Sequence, residues 1–371
     1  MTLKSLKRLV KSAIGKTSGI AFWPTRMTPA DARQKLQAFS AYPTGTCKTE
    51  NAVSLQYDVQ IIIPAYNVEK YVQQCLDSVF QQVSQYKILV SVVNDGSTDG
   101  TSNILQNAVR YYANKELPEN ITLEVITQEN KGFSGARNTA LKHIQANYVA
   151  FLDSDDVLTE DAIKIMLDTA YRHDADIVQG SWYTFAGEEK ADHILPIDGE
   201  ITDCDNVLSG YPWGKLYKHD MLASFQFPEG FLYEDTPLSF IIATLSHRAY
   251  AIKKIVYGYR QNPNGITATS KKIARSVESY WITEECLKEF PTFGVSYDQR
   301  AYEYLLRQSM MNASRTRFQP REIRKAEFVL TAELMSTYFA EFHTQDPKMK
   351  SIEQALRKRQ FTKFEMLMRG R

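Results

Sequence analysis

Residues 147–156 read Asn-Tyr-Val-Ala-Phe-Leu-Asp-Ser-Asp-Asp, an apolar run that ends in three carboxylates. The run has the length and composition of a short buried strand. Carboxylates so close together repel one another, and a divalent cation such as Mg²⁺ or Mn²⁺, which prefers hard oxygen ligands, would neutralise them. The stretch therefore predicts a metal site at the carboxyl edge of a sheet. A plain helix start is the alternative, because Asp also caps helices.

Three apolar runs upstream have the same form as residues 147–152. They lie at residues 59–63, 87–93 and 121–127. They are rich in residues typical of buried parallel strands, and a helical pattern follows each of them. Polar turns follow the first and second runs, at residues 64–67 and 94–99. The alternation predicts a doubly wound α/β domain in which the polar strand ends converge on one crevice.

The pattern divides the chain into three parts. Residues 1–57 form an N-terminal extension, in which a helix is predicted from Pro29 to Phe39. Residues 58–270 form the predicted α/β domain, and residues 271–371 form a helical region with a basic tail. Within the α/β domain, Asn67 and Asp156 are each predicted to cap the helix that follows.

Composition excludes several classes of protein. A net charge of +1 over 371 residues argues against a nucleic-acid-binding field. The four cysteines lie far apart without CxxC spacing, which predicts neither a zinc site nor a disulfide framework and fits a reducing cytoplasm. No run approaches the roughly 18–20 apolar residues of a membrane-spanning helix.

The first residues have a distinct pattern. Leucines and lysines between residues 3 and 16 recur at the spacing of a basic amphipathic helix. Together with the basic C-terminal tail, this predicts a cytoplasmic protein that lies peripherally on an anionic membrane surface. The alternatives are packing of this helix on its own domain, with a solvated basic face, and a targeting peptide.

Four segments in this order resemble family 2 glycosyltransferases, the large inverting family with the GT-A fold. The segments are Ile-Ile-Ile-Pro-Ala-Tyr-Asn (61–67), Val-Asn-Asp-Gly-Ser-Thr-Asp (93–99), Asn-Lys-Gly-Phe-Ser-Gly-Ala-Arg-Asn (130–138) and Phe-Leu-Asp-Ser-Asp-Asp (151–156). The resemblance implies a GT-A catalytic domain over residues 58–270, with a Rossmann-like, mostly parallel central sheet and flanking helices. It also implies transfer of a sugar from a UDP-sugar donor to a glycan or lipid-linked oligosaccharide acceptor, in bacterial surface polysaccharide synthesis.

The same resemblance implies a nucleotide site. Asp95 would accept the imide N–H of uracil, and the Tyr66 ring would offer a stacking face. Arg137 would place a cation near the nucleotide. The complete nucleotide-binding set that the resemblance implies is Pro64, Ala65, Tyr66, Asn67, Asp95, Asn130, Gly132, Arg137, Asp153 and Ser154.

Metal and catalytic roles follow from the resemblance as well. Asp155 and Asp153 would hold Mn²⁺ or Mg²⁺, and Asp153 would also reach the ribose. The metal would stabilise the departing nucleoside diphosphate. Asp235 would take the proton from the acceptor hydroxyl, with Glu234 as a supporting hydrogen-bonding group.

Three further residues are candidates for the acceptor or diphosphate site: Trp213, Lys215 and Arg260. The segment 213–217 is similar to a Trp-Asn-Lys-Leu segment of the family, with Gly214 in place of Asn. Trp213 is expected either to stack on a sugar or to lie in the core, and Arg260 to bind phosphate through two hydrogen bonds.

Two other interpretations remain open at this point. Residues 153–158 also fit the Asp-x-Asp-x-Val signature of haloacid-dehalogenase-type phosphatases, in which Asp153 would be phosphorylated. That interpretation leaves the polar turns after the first two strands without a role. The other is a glycosyltransferase-like protein that binds its ligand without catalysis.

Overall fold

The computed structural model describes residues 22–114, 118–202, 207–262, 265 and 270–369. These residues form two compact units, each described here by itself. The first unit comprises Pro43–Gly265 and Lys288–Val295, and the second comprises the described parts of residues 1–42, 266–287 and 296–371. The predicted amphipathic helix at residues 3–16 lies outside the described residues, and the predicted domain boundaries stay predictions.

A mixed β-sheet forms the centre of the first unit. Its strands in the described chain are β1 (Ala52–Ala65), β2 (Ile88–Asn94), β3 (Ile121–Thr127), β4 (His143–Phe151), β5 (Val157–Leu158), β6 (Ile177–Ala186), β7 (Glu189–His193), β8 (Gly199–Glu200), β9 (Lys215–Lys218) and β10 (Ala249–Arg260). The order is β3-β2-β1-β4-β9-β6-β10-β5, with β7 beside β6 and β8 beside β10. The long strands pair in parallel, β1 with β2 and β4, β2 with β3, and β6 with β10. The predicted α/β class is confirmed.

Helices surround the sheet of the first unit, and the first three of them follow the parallel strands β1, β2 and β3. Their bounds are Val72–Phe80, Thr101–Asn114, Gly132–Leu141, Ala162–His173, His219–Leu222 and Ala243–Leu245, the last preceded by a π-helical segment, Leu238–Ile242. The helix Val72–Phe80 shows why they pack on the sheet, because Val72, Cys75, Leu76 and Val79 repeat at helical spacing and are all buried. The apolar core lies between these helix faces and the sheet.

Two strands begin earlier than their apolar runs predict. Strand β1 starts at Ala52 instead of Val59, and β4 starts at His143 instead of Tyr148. The extra residues pair with each other, Ala52 opposite His143, and the side chains of residues 52–56 are largely exposed. Exposed strand residues need not form a continuous apolar run. An apolar run therefore predicts only the buried part of such a strand.

The second unit is helical, as predicted. It contains helices Pro29–Phe39, Gln299–Arg315, Arg321–Tyr338, Lys350–Arg357, Phe361–Arg369 and most of Glu278–Glu289, with short 3₁₀ segments at Ser270–Lys272 and Ala274–Val277. The first helix has its predicted bounds because Thr28 caps it, accepting a hydrogen bond from Asp31 N. No described helix is both long and apolar enough to span a membrane.

Candidate active site

The strand order reverses at β1, and polar residues follow each strand at this point. Strands β2 and β4 lie on opposite sides of β1 and run parallel to it, so their carboxyl ends meet at one edge. Ala65 pairs with Asn94, and Leu152 N donates to Ile62 O at 3.1 Å. The segments 64–67, 94–99 and 153–156 therefore start at the same edge of the sheet. Ligands of doubly wound folds bind at such a reversal.

Asp95 is held rigidly at this edge. It is 2% exposed, and its Oδ1 accepts hydrogen bonds from Gln128 Nε2 at 2.7 Å and from Lys131 N at 2.8 Å. Its own N–H donates to Ala65 O at 2.9 Å. None of the residues that the structure describes donates a hydrogen bond to Oδ2. Oδ1 thus accepts hydrogen bonds from the protein, and Oδ2 is able to accept one from a ligand.

Asn67 joins the first two polar segments, so the prediction that it caps the next helix is wrong. Its backbone is left-handed, with φ +53°, and its Oδ1 accepts a hydrogen bond from Thr98 N at 2.8 Å. Asn67 N also donates a hydrogen bond to Ser97 Oγ at 3.2 Å. The following helix begins only at Val72. The bonds to residues 97 and 98 displace the local cap and fix the loop beside Tyr66, whose ring is exposed.

Arg137 connects two carboxylates that are distant in sequence. Its Nη2 donates to Asp153 Oδ1 at 2.7 Å and its Nη1 to Glu234 Oε1 at 2.5 Å. The guanidinium is buried and packs over the Phe227 ring, 5.2 Å from its centroid. Burial raises the pKa of Glu234, and the positive charge of Arg137 opposes this rise. This ionic link is the part of the site that sequence reasoning missed.

Asp155 and Asp156 have different environments. Burial, followed by repulsion from Asp153, raises the pKa of both carboxyls. Asp156 is buried and accepts hydrogen bonds from Tyr257 OH and from Arg260 N, both at 2.7 Å. Its predicted role as a helix cap is wrong, because these contacts with β10 take both of its oxygens. The next helix begins at Ala162, without a side-chain cap.

A divalent metal fits the remaining carboxylates. Among the described residues, no group of three or more His, Cys, Asp or Glu side chains is arranged to hold a metal by itself. Asp153 and Asp155 nevertheless repel each other, which a cation would relieve. Mg²⁺ commonly binds one or two carboxylates and completes its shell with water and substrate phosphates. Two carboxylates are therefore compatible with a metal that binds together with a diphosphate.

The other predicted residues of this region are Asp235, Lys215 and Arg260. Asp235 lies beside Glu234, just before the π-helical segment, and is partly buried. Lys215 is buried, and its Nζ donates to Ser209 Oγ at 2.8 Å and Tyr211 O at 2.5 Å. Burial lowers the pKa of Lys215 to about 7, although the nearby charge of Asp235 opposes this shift.

Arg260 is already held beside the acidic cluster. Its Nε donates to Asp155 O and its Nη2 to Gln74 Oε1, both at 2.6 Å. Its guanidinium also lies over the Phe185 ring at 4.4 Å. Binding of a phosphate through two hydrogen bonds would therefore require some of these contacts to change.

Trp213 lies in the core, which was one of its two predicted environments. It is 5% exposed and stacks with Tyr211 and Tyr257, with ring centroids 4.7 and 4.6 Å away. Gly214 has φ +68°, a left-handed conformation that Gly and Asn adopt more readily than other residues. This explains in physical terms why Gly replaces the Asn of the similar family segment.

The comparisons with known proteins agree with this geometry. Residues 60–224 match the family model for glycosyl transferase family 2. Glycosyltransferase GlyA of Streptococcus pneumoniae is 35% identical over 220 residues, 54% of this chain and 30% of that protein. The uncharacterized glycosyltransferase EpsJ of Bacillus subtilis is 28% identical over 232 residues, 58% of this chain and 64% of that protein. The chain thus spans less than two thirds of both relatives.

A solved structure shows the same fold. Residues 1–349 of TarS from S. aureus, in complex with UDP-GlcNAc, superpose with a TM-score of 0.64 and 21% identity, over 84% of this chain and 90% of that one. This likeness confirms the predicted GT-A fold with a C-terminal helical region. This fold agrees with the match of residues 60–224 to the family model for glycosyl transferase family 2.

Proposed function

We propose that this protein is a glycosyltransferase that moves a sugar from a UDP-sugar donor to a hydroxyl of a glycan or glycolipid acceptor. The observation that carries the proposal is the meeting of Asp95, Asp153 and Asp155 at the edge where the strand order reverses. UDP-GlcNAc is the ligand of the TarS structure, and relatives named for chondroitin and minor teichoic acid synthesis support a surface-polysaccharide product.

The uracil end of the donor is assigned to Asp95. A carboxylate accepts hydrogen bonds and donates none, so Oδ2 is suited to the imide N–H of uracil and would disfavour a base that presents a lone pair there. The two hydrogen bonds on Oδ1 keep the carboxylate in one orientation. The loop residues that frame this position, Pro64 to Asn67 with Asn130 and Gly132, would line the nucleoside pocket.

The diphosphate end is assigned to Asp153, Ser154 and Asp155. Asp155 and Asp153 would hold Mn²⁺ or Mg²⁺, whose charge would stabilise the UDP leaving group. Arg137 fixes the Asp153 carboxylate through its ion pair, so the oxygen that remains keeps one direction. Arg260 lies beside the same cluster and would supply further positive charge to the diphosphate.

Asp235 is the proposed general base. It would take the proton of the acceptor hydroxyl as that oxygen attacks the anomeric carbon, and the bond from this carbon to the UDP oxygen would break on the opposite face. A single displacement of this kind inverts the configuration. Glu234 is the supporting residue, because its carboxylate is already bonded to Arg137.

Thermal denaturation with added ligands tests the donor site. We expect UDP to raise the melting temperature when Mn²⁺ is present, and GDP or Mn²⁺ alone to have little effect. Asp95→Asn should lose most of the UDP shift, because an amide that turns its NH₂ toward uracil opposes the imide N–H. A wild-type protein that UDP with Mn²⁺ does not stabilise would contradict the nucleotide assignment.

A variant of the base separates chemistry from binding. Asp235→Asn should abolish sugar transfer from a panel of UDP-sugars and retain the UDP shift. Asp220→Asn, which changes an exposed Asp in the same unit, is the matched control and should keep both properties. Loss of the UDP shift in Asp235→Asn would move this residue into the donor site. Hydrolysis of p-nitrophenyl phosphate dependent on Asp153 would instead favour the phosphatase interpretation.

The proposed location is the cytoplasmic face of the cell membrane, with peripheral attachment through the basic ends of the chain. Basic segments bind anionic lipid surfaces at about 1 kcal/mol per positive residue. Sedimentation with vesicles that contain anionic lipid tests this, with residues 1–20 removed in the second arm. Equal sedimentation of both proteins would contradict attachment through the N-terminal segment.

A further inference from the structure

The ring of Tyr211 is an exposed aromatic surface next to the candidate active site. It is 46% exposed, although it stacks on the buried Trp213 ring with an angle of only 5° between the planes. A parallel stack of this kind covers one face of a tyrosine and leaves the other face to solvent. A rigid aromatic face backed by a buried ring is a suitable surface for a ligand with an apolar side.

This surface is connected to the acidic cluster by a series of stacked rings. Trp213 also stacks with Tyr257 at 4.6 Å, and Tyr257 OH donates to Asp156 Oδ2 at 2.7 Å. The same hydroxyl accepts a hydrogen bond from Asp153 N at 3.2 Å. Tyr211 therefore lies two ring stacks away from the carboxylates, close enough to bind a different part of a molecule that reacts there.

Lys215, on which the charge of the proposed base Asp235 acts, fixes the backbone of Tyr211. Lys215 Nζ donates to Tyr211 O at 2.5 Å, and the charge of Asp235 acts on this same buried ammonium group. The Tyr211 backbone is thus linked through Lys215 to Asp235, which would contact the acceptor.

We propose that the outer face of Tyr211 is an acceptor subsite that stacks against the apolar C–H face of a hexopyranose. Because two ring stacks separate it from the acidic cluster, it binds the sugar next to the one that reacts. The inference rests on the proposed function and deepens it, since it makes the acceptor an oligosaccharide of at least two units. Lys215 is a positioning residue for this subsite.

Acceptor kinetics test the subsite. The donors are the UDP derivatives of glucose, galactose, N-acetylglucosamine and N-acetylgalactosamine with Mn²⁺, and the acceptors are methyl glycosides of mono-, di- and trisaccharides of the same sugars. In Tyr211→Ala we expect KM for di- and trisaccharides to rise about tenfold, which corresponds to lost burial of one sugar face. The monosaccharide KM, the UDP thermal shift and donor hydrolysis should be unchanged.

Two control variants complete the design. Tyr211→Phe keeps the ring and should stay within about twofold of the wild type, because stacking does not need the hydroxyl. Tyr111→Ala removes an equally exposed tyrosine from the helix Thr101–Asn114 and should change nothing. An unchanged oligosaccharide KM in Tyr211→Ala, or an equal rise for mono- and disaccharides, would overturn the subsite. So would a wild-type protein that binds UDP with Mn²⁺ but uses no acceptor of the panel, whereas missing UDP binding would overturn the proposed function itself.

Discussion

Replacing Arg137 with methionine removes the two ion pairs that link Asp153 and Glu234 in the candidate active site. The guanidinium is the shared partner of Asp153, from the end of β4, and of Glu234, which is 97 residues away from Arg137 in the chain. Methionine preserves much of the side-chain volume and removes the charge and both hydrogen bonds. The carboxylates of Asp153 and Glu234 would then have lost the cation that they share.

The expected loss of stability follows from the burial of the partners. The Glu234 side chain is 10% exposed and the Asp153 side chain 28%. Breaking a buried ion pair by removing one partner costs on the order of 3–5 kcal/mol. Water screens Asp153 more strongly, so its share is smaller. We expect Arg137→Met to lower the free energy of unfolding by about 3 kcal/mol, mostly because Glu234 is left buried without its partner.

Urea denaturation at pH 9, above the raised pKa of Glu234 of about 8, measures this loss without metal or nucleotide. Fluorescence and circular dichroism should give coincident transitions before a free energy is derived. Arg248→Met is the matched control, because Arg248 makes an exposed ion pair with Asp174 and should contribute less than about 1 kcal/mol. In Arg137→Met/Glu234→Gln, part of the loss should be recovered, since a neutral amide tolerates burial better. Equal unfolding free energies for Arg137→Met and Arg248→Met would refute the reasoning.

Three further substitutions have defined outcomes. Burial raises the pKa of Glu327 to about 7, so the free energy of unfolding should fall as pH rises from about 4.5 to about 7. In urea titrations, the unfolding free energy of Glu327→Gln should equal that of the wild type at pH 4. At pH 8 it should exceed the wild-type value by up to about 3 kcal/mol. Gly214→Val should lower the melting temperature, at a cost of about 1–3 kcal/mol for a left-handed β-branched residue, whereas Gly214→Asn should be tolerated; equal effects would contradict the backbone argument. Asp156→Ala should destabilise the fold by about 2 kcal/mol or more, because Tyr257 OH and Arg260 N lose their acceptor, and a stable variant that only lacks metal binding would make Asp156 a ligand instead.

The sequence was sufficient to predict which strand ends form the candidate site. Buried parallel strands leave continuous apolar runs, and the polar residue that ends each run marks the carboxyl edge. Asp95 and Asp153 could be located in this way, and β2 ends at Asn94 and β4 at Phe151, next to them. The start of β1 at Ala52 could not, because its first residues are exposed and depend on pairing with β4.

Side-chain partners were predicted less well, for a physical reason. Local rules assign Asn67 and Asp156 to helix caps, since Asn and Asp favour that position in isolation. In the folded chain, each finds partners from another segment, Thr98 for Asn67 and Tyr257 for Asp156. These contacts join segments that only the complete sheet brings together. They replace the local cap at both residues, in a buried environment at Asp156 and in an exposed one at Asn67.

The three carboxylates at the end of β4 differ in how their charges are compensated, and this difference indicates where a cation would bind. Asp156 has hydrogen bonds from Tyr257 and the backbone of Arg260, and Asp153 has an ion pair with Arg137. Within the described part of the chain, Asp155 forms no ion pair. A hydrogen bond with Asn262 and the charge of Arg260 favour its ionised form, but burial and repulsion from Asp153 raise its pKa, as they do for Asp156. Asp155 is thus the carboxylate of the cluster that has neither the ion pair of Asp153 nor the hydrogen bonds that Asp156 accepts from Tyr257 OH and Arg260 N. A divalent ion that binds with UDP would gain most at this carboxylate, so Asp155→Asn should weaken the metal dependence of the UDP thermal shift more than Asp156→Asn does.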